Sequence, residues 1–174
     1  GMATVYAASD ELLGQRVAIK LLHRQRRGGD IERLRREVRL ARLVTHPNVC
    51  RIFDVGVHRG EGDPVTFLTM ELLSGRTLSE LLSERGRLEP GEVLPIVRQV
   101  CAALDAAHDA GIVHRDFKSP NVMLVGERAV VTDFGLAQGT TGKGDALTGT
   151  GAFLGSPAYM APEQVEGATI DART

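Results

Sequence analysis

The apolar residues of this chain change their period at Ser74-Gly75, and that change constrains the fold more than any other feature of the sequence. Before it, apolar residues come in runs of strand length, at 4–8, 16–22, 49–57 and 65–71, with 11–15 as the turn between the first two. One helix interrupts them. Asp30 is placed as its N-cap, and Ile31, Leu34, Val38 and Ala41 recur at helical spacing up to about Leu43, with arginines filling most other positions. His46-Pro47-Asn48 ends that pattern. After Ser74-Gly75 the period is mainly helical. Residues 77–84 predict a short helix and 92–110 a long one, with Val93, Ile96, Val97, Val100, Leu104 and Ala107 on one stripe. Pro95 falls in its first turns, where the amide has no intrahelical acceptor, and Gly111 suits its C-terminal cap. Two short strands follow at 122–125 and 129–132. Residues 133–162 show no strong period, and a loop that long in a compact domain is functional or mobile. The expectation is an α+β chain in two lobes: a small β-rich unit with one helix over 1–73, and a mostly helical unit over 74–174.

Composition works by exclusion. The 174 residues are 43% hydrophobic and 25% charged, an ordinary globular balance that can bury one core. A formal net charge of −1 gives no field that would draw nucleic acid or an anionic membrane. Cys50 and Cys101 show no paired spacing and read as the reduced thiols of an intracellular protein, so a cytoplasmic location is expected for this stretch, with a membrane anchor outside it left open. No apolar run reaches membrane-spanning length and no signal sequence is visible. The chain opens and closes as if in mid-element, so a fragment cut at both ends is expected.

Four motifs carry chemistry. Val17-Ala18-Ile19-Lys20 lies on an expected strand, and Glu37 lies along the apolar stripe of the first helix, which aims it inward. Taken alone, Lys20 reads equally well as a solvated strand residue, with Glu37 paired to Arg33 one turn back. His114-Arg115-Asp116-Phe117-Lys118-Ser119-Pro120-Asn121 is more specific, since an ordinary polar turn has no need of Asp, Lys and Asn at this spacing between apolar segments. Asp133-Phe134-Gly135 follows a strand, and Gly135 would let the backbone turn sharply. Gly155-Ser156-Pro157-Ala158-Tyr159-Met160-Ala161-Pro162-Glu163 comes last. Each short motif alone is compatible with a turn; their order is what gives them weight.

In that order the four motifs resemble the signature set of the protein kinases, and the match is most similar to the bacterial branch of the eukaryotic-like serine/threonine kinases. The resemblance runs from Gly1 to Thr174. It implies the two-lobed kinase fold and transfer of phosphate from ATP, with Mg2+, to serine or threonine hydroxyls of a protein substrate. It implies that Lys20 meets the α- and β-phosphates, anchored by Glu37. Asp116 would receive or orient the proton of the attacking hydroxyl. Lys118, in the serine/threonine form of the loop, would contact the γ-phosphate. Asn121 and Asp133 would hold magnesium through hard oxygen ligands. Glu163 would be a structural anion whose arginine lies beyond Thr174, and Ser156 occupies a position more often held by threonine. Phe117 stands where leucine is commoner.

The same resemblance places the adenine site: Met70 at its back, Glu71 and Leu73 offering a backbone carbonyl and amide, and Val5, Ala18 and Met123 around the ring. It also suggests regulation, with Arg115 receiving a phosphate added to Thr148 or Thr150. The sequence departs from the family pattern at the glycine-rich loop, where Ala3 holds the third glycine position and the first two would precede Gly1. Two rivals stand beside the kinase reading. A pseudokinase binding module is disfavoured because Lys20, Asp116 and Asp133 are all present. A small-molecule phosphotransferase is disfavoured by Lys118 and the Ala161-Pro162-Glu163 segment. The chain by itself is expected to be inactive and aggregation-prone, because the resemblance continues into helices beyond Thr174.

Overall fold

The computed structural model describes residues 3–22, 28–134 and 157–174. Four strands, β1 (Ala3–Asp10), β2 (Gln15–Leu22), β3 (Ile52–His58) and β4 (Val65–Glu71), form an antiparallel sheet in the order β1-β2-β4-β3. The turn between β1 and β2 closes on Asp10, whose Oδ1 accepts from the amides of Leu12 and Leu13 at 3.0 Å each. Helix α1 (Gly28–Ala41) covers one face of the sheet. Its Leu34 and Val38 are fully buried against Ile52 and Leu68, with Leu22 and Val55 beside them. The helix starts ahead of the expected N-cap, so Asp30 lies inside it. Burial of Leu34 and Val38 fixes α1, and such packing overrides the poor helix propensity of its opening glycines.

Strand β3 starts three residues later than the apolar run suggested, because Val49 and Cys50 pair elsewhere. The Cys50 amide donates to Val131 O at 2.9 Å and the Val131 amide to Asn48 O at 2.8 Å, making a parallel bridge to a second sheet. That sheet contains β5 (Arg76–Thr77), β6 (Val122–Val125) and β7 (Arg128–Val131) in the order β5-β6-β7. A two-residue strand such as β5 is too short to show a period. It lies so close to β6 that a Cβ on Gly75 would sit 2.0 Å from Leu124 O, so only glycine fits there.

Helix α2 (Leu78–Arg85) starts from a capping box: Thr77 Oγ1 accepts from the Glu80 amide at 3.1 Å, and Glu80 Oε2 accepts from the Thr77 amide at 2.6 Å. Helix α3 (Pro90–Asp109) starts earlier than expected, with Pro90 in the first turn and Glu92 accepting from the Glu89 amide at 3.1 Å. Pro95 therefore sits past the first turn and does leave one carbonyl, that of Gly91, without its helical donor. Both residues are exposed, so water can serve that carbonyl. The helix ends on Gly111, at φ 74°, with Gly111 N bonded to His108 O at 2.8 Å and Ile112 N to Ala107 O at 2.9 Å. Val100, Ala103 and Ala107 of α3 pack with Val44, Val49, Val122, Ala129, Val131 and Phe134 as the largest core. Among the described residues no helix is long and apolar enough to cross a membrane.

Candidate active site

The loop after α3 and strand β7 are tied together residue by residue. A single 3-10 turn, Ser119–Asn121, closes the loop, with the Asn121 amide donating to Lys118 O at 2.9 Å. Asn121 is buried. Its carbonyl accepts from the Thr132 amide at 2.9 Å, and its Nδ2 donates to Asp116 O at 2.8 Å. His114, buried and in ring contact with Phe117 and Phe134, bonds Thr132 O through Nε2 at 2.8 Å. Its Nδ1 lies 3.3 Å from the Asp116 amide and accepts from it. This pattern selects the neutral ring with the proton on Nε2. Burial depresses the His114 pKa, against the bond to Thr132 O and the nearby Asp133 and Asp116 charges, which raise it.

These bonds bring Asp116, Asn121 and Asp133 to one place. The Asp116 carboxylate receives Lys118 Nζ at 2.8 and 3.1 Å. Asp133 Oδ1 lies 2.6 Å from Lys20 Nζ, so β2 of the first sheet meets the end of β7. Both Arg115 and Asp133 have φ 65°, a conformation that costs side-chain-bearing residues roughly 1–3 kcal/mol. The expected turn at Gly135 lies outside the described residues; the left-handed position on this side of it is Asp133 itself.

Glu37 follows from the register. Ala18, Lys20 and Leu22 alternate onto one face of β2, and Leu22 packs on the face of the sheet that α1 covers. Glu37 is half-buried on α1 between the buried Leu34 and Val38 turns, so its helix lies over the face that carries Lys20.

Four of the residues expected around adenine gather in one apolar cluster. Ala18 and Met70 are cross-strand partners, and with Cys50, Val130, Leu72, Leu73 and Met123 they form a compact group. Val5 does not join it: it stands opposite Lys20 on β1 and is 54% exposed. Cys50 and Val130 belong to the same cluster, which nothing in their local sequence signals. Burial, with the charges of Glu71 and Asp133, pushes the Cys50 thiol up to about 12, so it remains a thiol. Its Sγ is 3.9 Å from Glu71 O. The Glu71 side chain holds Arg128 Nη2 at 2.5 Å, a pairing the sequence did not suggest.

The last segment docks on the same loop. Gln164 of α4 (Pro162–Val165) donates from Nε2 to Arg115 O at 2.7 Å, and Tyr159 Oη is 3.4 Å from Ser119 Oγ. Among the described residues Arg115 Nε is buried with no hydrogen-bond partner. Glu163 makes no ion pair among the described residues. Thr148, Thr150 and Ser156 lie outside the described residues.

Comparison with known proteins identifies the family. The family model of the protein kinase domain matches residues 1–174. A probable serine/threonine-protein kinase PknB of Corynebacterium glutamicum is 39% identical over 177 residues, covering 100% of this chain and 27% of the relative. PknB of Mycobacterium tuberculosis is 34% identical, covering 100% of this chain and 28% of its own length. The crystal structure of the PknI kinase domain of Mycobacterium tuberculosis superposes with a TM-score of 0.76 at 30% identity, over 99% of this chain and 62% of that one. The chain thus spans about a quarter of the curated relatives it matches.

Proposed function

The chain belongs to the protein kinase family, and on that footing we propose that it carries the centre of a serine/threonine kinase that moves the γ-phosphoryl group of ATP to hydroxyls of a protein substrate. The observation that carries this reading is the meeting of Lys20, Asp116, Asn121 and Asp133 at one junction between the two sheets. Lys20 supplies the cation for the α- and β-phosphates, from the face that α1 and Glu37 cover. Asp116 orients the substrate hydroxyl and takes its proton, and Lys118, already against Asp116, serves the γ-phosphate. The apolar cluster of Ala18, Met70, Leu73 and Met123 receives the adenine ring, with the Glu71 carbonyl and Leu73 amide at its edge. Val5, across the strand pair from Lys20, closes over the ring from the exposed side of β1.

The donor set fits a magnesium ion. Asn121 spends its Nδ2 on Asp116 O, which leaves Oδ1 as an acceptor, and Asp133 adds a carboxylate. Among the described residues no group of three or more His, Cys, Asp or Glu could hold a metal alone. That suits an ion held by few protein oxygens and completed by phosphates and water. When bound, the ion offsets the charge that develops on the phosphates.

Regulation through Arg115 belongs to the same proposal. Its buried Nε has no hydrogen-bond partner among the described residues, which leaves a donor in want of an acceptor one residue before Asp116. A phosphate on Thr148 or Thr150 supplies acceptor oxygens and about −1.5 to −2 charges, enough to order the segment against it. In the full-length protein, incubation with γ-labelled ATP and Mg2+ should put label on serine or threonine of a test protein, and EDTA should abolish it. Phosphopeptide mapping should find Thr148 or Thr150, and a Thr148→Ala, Thr150→Ala variant should lose activity. Label that never leaves ATP would end the kinase reading; full activity in the double variant would end the regulatory part alone.

A further inference from the structure

Strand β7 starts at Arg128 and leads directly to Asp133, while β4 ends at Glu71. The Arg128 guanidinium joins the two, with Nη2 2.5 Å from Glu71 Oε1. We infer that Arg128 is a positioning residue for the nucleotide: its ion pair with Glu71 sets the distance between the backbone edge at 71–73 and the strand that presents Asp133. The inference rests on the reading that this edge holds adenine and Asp133 holds the metal.

The geometry supports a role beyond surface decoration. Glu71 is fixed on every side. Its amide donates to Arg51 O at 2.8 Å, its Oε2 lies 3.4 Å from the Arg51 amide, and its carbonyl faces the Cys50 thiol. Cys50 is itself bonded to Val131 of β7. Arg128 therefore closes a ring of contacts that runs from the edge carbonyl through Cys50 to β7 and back through the ion pair. The pair is partly shielded, with side chains 38% and 31% exposed, and among the described residues Arg128 Nε is buried without a partner. Glu71 is thus the acid that balances this guanidinium; removing it strands a half-buried cation. Between the two ends of β7, the buried Val130 side chain lines the apolar cluster. A shift of β7 against β4 would alter the span that one nucleotide has to bridge, and a positioning error of this kind weakens binding before it touches chemistry.

The test uses the full-length protein and reads nucleotide affinity, turnover and thermal midpoint for Arg128→Met, Arg128→Lys, Glu71→Gln and the Glu71→Gln, Arg128→Met double variant. Arg128→Met should raise the ATP dissociation constant and KM about three- to tenfold, the range of a partly buried ion pair. The turnover number at saturating ATP and the KM for the protein substrate should stay put. Arg128→Lys should recover part of the affinity, and the double variant should be no weaker than the weaker single one, as for two halves of one interaction. Glu71→Gln should lower the thermal midpoint more than Arg128→Met does. Unchanged ATP affinity in Arg128→Met overturns the inference, as does a double variant whose losses multiply. In both cases ATP binding by the unmodified protein keeps the kinase reading intact. If the unmodified protein binds no Mg-ATP, the kinase reading itself has failed.

Discussion

Replacing Asp116 by asparagine should separate chemistry from binding. The substitution keeps the shape of the side chain and removes its charge. The bonds that hold the loop survive it, because Asn121 Nδ2 bonds the Asp116 carbonyl and His114 Nδ1 accepts from the Asp116 amide. What disappears is the ion pair with Lys118, at 2.8 Å with side chains 19% and 24% exposed. Breaking a buried pair costs about 3–5 kcal/mol; solvent reaches both groups here, which brings the stability loss to roughly 1–2 kcal/mol. The kinetic loss is larger. A general base contributes about 10²–10⁴-fold, which is about 3–5 kcal/mol of barrier at 1.36 kcal/mol per decade. The full-length Asp116→Asn protein should therefore stay folded and bind Mg-ATP as before, while losing most of its turnover. Asp133→Asn should do the reverse in order: it removes both the carboxylate proposed to hold magnesium and the partner of Lys20, so magnesium-dependent nucleotide affinity falls first. Initial rates at saturating ATP, beside nucleotide titrations with and without magnesium, measure both. Two variants with the same profile, or an Asp116→Asn protein that binds ATP as poorly as Asp133→Asn, would refute this division of roles.

Three further outcomes follow from burial and charge. Cys50, with its thiol held near 12, should resist alkylation at pH 8 in the folded protein and react only on unfolding, while the exposed Cys101 reacts first; peptide mapping by mass spectrometry reads the order. His114 is neutral when folded and has a depressed pKa, so the unfolded chain binds the extra proton: stability is full above about pH 6.5 and falls as pH drops from there toward the folded value. Denaturant midpoints across pH 5–8 should show that slope, and a His114→Asn variant should flatten it. Gln99→Ala leaves the Ala129 amide and Asn48 Nδ2 each without one acceptor in a buried setting, so a loss of about 2 kcal/mol and a midpoint drop of roughly 4–8 °C are expected by calorimetry.

The elements that were legible are those whose signal is local. Helix α1 shows in the spacing of Leu34 and Val38 and β4 in an apolar run of strand length, because the residues that define each are close to one another in the chain. The misses have a common physical origin. Asn48 and Gln99 are 51 residues apart, Glu71 and Arg128 57 apart, and each pair is set by how β7 docks, which no local window contains. The same docking takes Val49 and Cys50 out of the strand their apolar run predicts and gives Cys50 and Val130 a place in the apolar cluster of Ala18 and Met70.

The site residues were named by motif order, yet order alone does not say how the chain presents them. The sequence suggested a sharp turn at Gly135, the residue type best suited to one. Gly135 lies outside the described residues; within them it is Asp133 that is left-handed, where three demands coincide. The Thr132 amide and carbonyl are both committed, to Asn121 O and His114. Phe134 is committed to the core and to the His114 ring, at 4.8 Å between centroids. Asp133 between them must still reach Lys20. Between these two fixed neighbours the backbone takes φ 65° at Asp133, at a cost of roughly 1–3 kcal/mol. Arg115 repeats the case one residue before Asp116, flanked by the buried His114 and held through its carbonyl by Gln164. The buried His114 thus couples both strained positions: its Nε2 holds the residue before Asp133 and its Nδ1 the amide of Asp116. Loss of the His114 ring should release both turns at once, which is why its substitution is expected to disturb binding and turnover together, unlike Asp116→Asn.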